Sequence, residues 1–140
     1  DSLLMTDADR SRIVSVVAAL APSHAADVSG SSGVPGATSG IVILHGTDTL
    51  SATGEVLCAQ LDPALPIILT GAMRPYEMKR SDALQNLNEA IFAAGLLDPG
   101  VYCVAHGRAL RFPGVRKDRD RGTFVLDGVS QSEPGDQLGS

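Results

Sequence analysis

Tryptophan is absent and aromatic residues make up only 4% of the 140 residues, so aromatic platforms that stack nucleic-acid bases are not expected. Cations are the minority charge, 11 Lys and Arg against 16 Asp and Glu, for a net charge of -5. Nucleic-acid binding rests on cationic contacts to phosphate, so no nucleic acid is expected as a partner. Two cysteines, Cys58 and Cys103, are too few for a disulfide framework or a zinc site. Each lies in an apolar run and reads as a small buried hydrophobe. No apolar stretch approaches the roughly 20 residues that span a bilayer, so no membrane is expected. The chain opens at Asp1 without a secretory signal pattern, and the expected location is cytoplasmic. His24 and His106 have no ligand partners at metal spacing, so no metal site is expected.

What is present suits one soluble globular domain, with 44% hydrophobic and 19% charged residues. Thr6, followed by Asp7 and Asp9, reads as a helix start. Ile13, Val16, Val17 and Leu20 recur at helical spacing, and Pro22 stops the helix near Ala21. Ser29 to Gly40 has the composition of a flexible linker and reads as a surface insertion.

The run Ile41–Leu44 looks like a strand buried on both faces, as in parallel sheets. A helix with Val56, Leu57 and Leu61 follows, then a second buried strand at 66–69. A helix capped by Ser81 or Asp82 carries Leu84, Leu87, Ile91 and Ala94 on one stripe, with Gly95 near its end. The segment 100–105 reads as a third strand. This alternation predicts an α/β fold of three layers, a parallel sheet flanked by helices, Rossmann-like or flavodoxin-like. Residues 1–127 form the expected domain, and 128–140 read as a disordered tail. The basic cluster Arg108–Arg121 includes Asp118 and Asp120. It reads as a solvated loop or the wall of a site.

Ligands of such sheets bind beyond the carboxyl ends of the strands, which draws attention to His45-Gly46-Thr47-Asp48-Thr49. Gly46 lets the backbone approach a ligand, and free N–H groups at the next helix start favour an oxyanion. The competing reading is that Thr47, Asp48 or Thr49 merely caps that helix. His45 itself reads as a buried, satisfied histidine. Lys117, among Arg116, Asp118 and Arg119, is either a solvated lysine or a base. Burial would lower a lysine's pKa, whereas a nearby aspartate would favour its charged form.

The motifs themselves are more specific. His45-Gly46-Thr47-Asp48-Thr49 resembles the signature of the L-asparaginase family, amidohydrolases that cleave the side-chain amide of asparagine. Leu69-Thr70-Gly71-Ala72-Met73-Arg74-Pro75 resembles its second conserved run, and Ser81-Asp82-Ala83-Leu84-Gln85-Asn86-Leu87 the helix start after it. Asp1-Ser2 with Met5-Thr6 is similar to its substrate-binding loop, and Gly114-Val115-Arg116-Lys117 to the segment that supplies its lysine. The tracts 73–77 and 112–119 look most like short asparaginase-like proteins with the N-terminal domain alone.

The resemblance implies that Ser2 holds a substrate α-carboxylate and Asp48 its α-ammonium. It implies that Thr47 and Lys117 form a polar pair beside the scissile amide. It implies no cofactor, a small-molecule amide as substrate, and a homo-oligomer, because family sites are completed across subunit interfaces. The family's strand ending in Thr-Gly-Gly-Thr-Ile, whose second threonine is the usual nucleophile, has no counterpart here. The N-terminal strand is therefore expected to be missing. The expected parent activity is hydrolysis of L-asparagine or a similar small amide to the acid and ammonia. The alternatives are a non-catalytic amino-acid-binding domain and an amidotransferase subunit that releases ammonia.

Overall fold

The computed structural model describes residues 4–21, 38–74 and 80–128. The first helix, α1 (Asp7–Leu20), starts where its chemistry says it should. The Thr6 hydroxyl accepts from the Asp9 N–H, while the Asp9 carboxylate accepts from the Thr6 N–H, a reciprocal capping box. Its buried edge is Val14 and Val17. Val16 and Leu20, expected on the core stripe, are more than half exposed. They face a groove of about 350 Å³ shared with Ile41, Val42 and Ile43.

Next come β1 (Ile41–Leu44), α2 (Leu50–Gln60), β2 (Pro66–Thr70), α3 (Ala83–Ala94) and β3 (Gly100–Ala105). The three strands run parallel in the order β1-β2-β3, with Ile41 beside Ile67 and Ile67 beside Val101. Alternation along the strands divides two cores. Ile67, Leu69, Val101 and Cys103 pack with Leu50 and Leu57 of α2. Ile68, Tyr102 and Val104 pack with Ala90 of α3 on the opposite face. Each fully buried leucine or isoleucine contributes about 1.5–3 kcal/mol, so the β2 run Ile67-Ile68-Leu69 alone is a large part of the stability. Helix, sheet, helix is the expected three-layer order.

The sheet departs from the all-parallel expectation at its far edge. There β4 (Arg108–Arg111) pairs antiparallel with β3. The reason is local. His106 and Gly107 both have positive φ, 52° and 75°, which makes a two-residue turn that can only reverse the chain. Beyond it, β5 (Val115–Asp118) and β6 (Thr123–Leu126) form a separate antiparallel ribbon. The basic cluster is thus mostly strand rather than loop.

Two other expectations change. The strand β1 has the composition of an inner strand, yet among the described residues it stands at the sheet edge, with Leu44 exposed. On α3, Leu84 and Ile91 of the expected stripe point outward, and Asn86 and Ala90 are buried instead. A polar network described below draws Asn86 inward. The expected insertion at 29–40 and tail at 128–140 fall almost wholly outside the described residues, as does Ser2.

Candidate active site

The carboxyl end of β1 carries the chain directly into the motif. The His45 N–H donates to the Thr70 carbonyl and extends the β1–β2 ladder by one residue. The His45 ring is buried, with Nδ1 2.7 Å from the Gly46 carbonyl and Nε2 2.8 Å from the Thr53 hydroxyl. A carbonyl only accepts, so Nδ1 carries a proton and donates to Gly46, while Nε2 meets the Thr53 hydroxyl. His45 is therefore the satisfied histidine expected from the sequence, and it pins the loop to α2. Gly46 is exposed at the mouth of the loop, while Thr47 is buried.

The capping alternative does not describe these residues. Thr49 occupies the N-cap position of α2 without a side-chain capping bond. Thr47 and Asp48 instead meet a residue from the far end of the chain. The Lys117 ammonium Nζ lies 2.9 Å from Thr47 Oγ1 and 2.8 Å from Asp48 Oδ1.

Three features deliver Lys117 there. Val115 and Phe124 bury the β5–β6 ribbon in the α2 core. The Gly114 N–H donates to the Glu55 carboxylate at 2.7 Å, tying the entry of β5 to α2. Residues two apart on a strand share a face, so Lys117 points the way Val115 does. Sequence reasoning named Thr47, Asp48 and Lys117, and the structure brings all three together. It did not name Arg119, whose Nη2 lies 3.0 Å from Asp48 Oδ1. The alternation of charges after Lys117 was the available signal.

The hydrogen bond from Lys117 holds the Asp48 carboxyl below the usual carboxylate range. Partial burial opposes this, and the charges of Lys117 and Arg119 reinforce it. Asp48 is thus an anion at neutral pH, flanked by two cations. The arrangement can hold a cationic group at Asp48, place a hydroxyl beside it, and keep a proton donor or acceptor within reach of that hydroxyl.

Gly71, at the end of β2, closes the floor. A Cβ there would lie 2.1 Å from the His45 carbonyl oxygen and 3.3 Å from the Thr47 methyl. Only glycine permits this approach of the two strand ends.

A second polar cluster, not named from the sequence, holds the loop after β2. The Asp82 carboxylate accepts from the N–H groups of Met73 and Arg74, from Asn86 Nδ2 and from His106 Nε2, the last at 2.5 Å. Asn86 Nδ2 also donates to the Gly71 carbonyl, and its Oδ1 accepts from the His106 N–H. Burial pushes the Asp82 carboxyl up. The bonds from Arg74, His106 and Met73 outweigh it and hold it down at about 2. The signal in the sequence was an asparagine, Asn86, among the apolar positions of the helix and four residues after Asp82.

Among the described residues no group of three His, Cys, Asp or Glu side chains could hold a metal ion, and no helix is long and apolar enough to cross a membrane.

The chain is 45% identical over 92 residues to the L-asparaginase of Thermococcus kodakarensis, a match covering 65% of this chain and 28% of that protein. It is 46% identical over 68 residues to a glutamyl-tRNA(Gln) amidotransferase subunit of Methanococcus vannielii, covering 49% of this chain and 16% of that one. In three dimensions it matches the thermostable L-asparaginase from Thermococcus kodakarensis with a TM-score of 0.72 at 30% identity. That match covers 90% of this chain and 35% of the other. The chain therefore spans no more than 35% of the length of these relatives. Residues 5–131 match the family described as Asparaginase, N-terminal, and with the fold and motif geometry in agreement, the chain belongs to the asparaginase family.

Proposed function

We propose that this domain serves an amidohydrolase that cleaves L-asparagine or a similar small amide to the acid and ammonia. One observation carries the reading: a single lysine, Lys117, bridges the hydroxyl of Thr47 and the carboxylate of Asp48. Asp48 takes the substrate's α-ammonium. Lys117 and Arg119 both meet its Oδ1, so Oδ2 is the atom turned to substrate. Ser2 contacts the α-carboxylate. Thr47 is the hydroxyl beside the scissile amide, held by the Lys117 ammonium. Once Lys117 has released a proton to solvent, its amine takes the proton of that hydroxyl, because a threonine hydroxyl is a poor nucleophile until its proton is taken. Backbone N–H groups where α2 begins stabilise the tetrahedral oxyanion, an interaction worth roughly 3–4 kcal/mol in other enzymes. The enzyme works as a homo-oligomer, and light scattering that shows only monomer at high concentration would refute that part.

The test is ammonia release from L-asparagine and L-glutamine by the complete product of the gene, with and without Thr47→Ala. Release from asparagine that Thr47→Ala abolishes supports the reading. A folded protein that releases no ammonia from either amide sinks it and leaves amino-acid binding as the explanation. The similarity to an amidotransferase subunit favours a second reading, release of ammonia for a partner subunit. Turnover of glutamine that rises only when a partner is added would select it.

A further inference from the structure

The loops after β2 and β3 enclose a second cavity, of about 340 Å³, on the α3 side of the sheet. Its walls include Arg74, Arg80, Ser81, Asp82, His106 and Arg121, and none of them belongs to the Thr47–Asp48–Lys117 cluster. It stands where ligands of parallel sheets bind, beyond the carboxyl ends of strands, and its size is that of a small-molecule pocket.

Among the described residues the lining carries more basic than acidic residues. Three arginines line one cavity in a chain whose net charge is -5. Among the described residues Asp82 is the one acid in the lining, and its carboxylate is already taken by four protein donors, from Met73, Arg74, Asn86 and His106. Both ring nitrogens of His106 are engaged, by Asp82 and Thr123, so the ring is wall. Among the described residues neither Arg74 nor Arg80 pairs with an acid. Arg74 Nη1 donates instead to the Arg80 carbonyl at 3.3 Å. Arg121 is steered by Asp118 at 3.9 Å, and Asp118 also accepts from the Arg121 N–H. Like charges around one cavity repel one another. A multiply charged oxyanion relieves that repulsion and matches the fork geometry of guanidinium groups.

We propose that this cavity binds a small, multiply charged oxyanion, carried on a phosphate group or a polycarboxylate and held by Arg74, Arg80 and Arg121. The site is independent of the amide-hydrolysis reading and stands or falls separately from it.

The probes are inorganic phosphate and citrate, titrated at low ionic strength against matched sodium chloride, with binding followed by calorimetry and amide NMR shifts. One of them is expected to saturate a single site with a Kd of about 1 mM or tighter. The shifts should centre on His106 and Gly122. The double variant Arg74→Gln/Arg80→Gln should weaken binding at least about tenfold. Arg116→Gln, which loses only the contact with Asp127 outside the cavity, should leave it unchanged. Tighter phosphate binding assigns a phosphate monoester, and tighter citrate binding assigns a polycarboxylate. Both replaced side chains belong to exposed residues, and dispersed amide spectra of the variants check that they fold. Arg121→Gln, tested alone, should also weaken binding. Failure to saturate, equal affinity in the double variant, or shifts scattered over the surface would overturn the proposal.

Discussion

Replacing Asp82 by asparagine isolates the charge at the centre of the network that holds the loop after β2. In the folded chain this carboxyl sits at about 2, against an ordinary value of 3.8. Each unit of displacement is worth about 1.4 kcal/mol, so the full shift corresponds to about 2–3 kcal/mol. Solvent screening of a partly exposed group reduces this to roughly 1–2 kcal/mol. The folded value is depressed, so the stabilisation is present above about pH 4 and is lost as the pH falls through 2. An asparagine side chain cannot ionise. The stability gap between the two proteins should therefore be largest near neutrality and narrow by roughly 1–2 kcal/mol between pH 5 and pH 2. Asp9 and Asp48, also held below the usual range, titrate in both proteins and cancel in the difference. Urea unfolding followed by far-ultraviolet circular dichroism suits a chain without tryptophan. A gap that stays constant over that pH range would show that the charge of Asp82 is not what holds the loop.

Gly71→Ala should destabilise the protein by roughly 1–3 kcal/mol and weaken ligand binding, since the new methyl meets the His45 carbonyl; an unchanged urea midpoint would contradict this. Lys117→Met, which keeps the stem and removes the ammonium, should lower any amidase activity at least about a hundredfold, read as ammonia release by the complete gene product. Asp48→Asn should mainly raise KM, and with Asp48 in place substrate binding should fail as the pH drops through the depressed Asp48 range. Cys103 should resist thiol reagents in the folded state at neutral pH, because burial pushes its thiol up to about 12; rapid labelling without unfolding would refute that.

Much of the architecture was legible in one dimension. The capping box of Thr6 and Asp9 and the apolar runs at 41–44, 66–69 and 101–105 depend on neighbours in sequence, and local propensity states them directly. The motif His45-Gly46-Thr47-Asp48-Thr49 likewise announced itself as a strand end with hydroxyl and carboxylate groups. Other features depended on which surfaces meet. The helix α3 offers an apolar stripe, yet buries Asn86, because Asp82, Gly71 and His106 supply partners that offset the cost of burying an amide. The antiparallel turn into β4 follows from two positive φ angles, which residue types only permit. The pairing of Lys117 with Thr47 and Asp48 spans about 70 residues. It exists because a ribbon anchored by Val115 and Phe124 docks on α2. The sequence by itself determined the α/β class and the chemical parts of the site. Only the tertiary structure decided which parts touch, because distances between remote residues are set by packing and not by spacing along the chain.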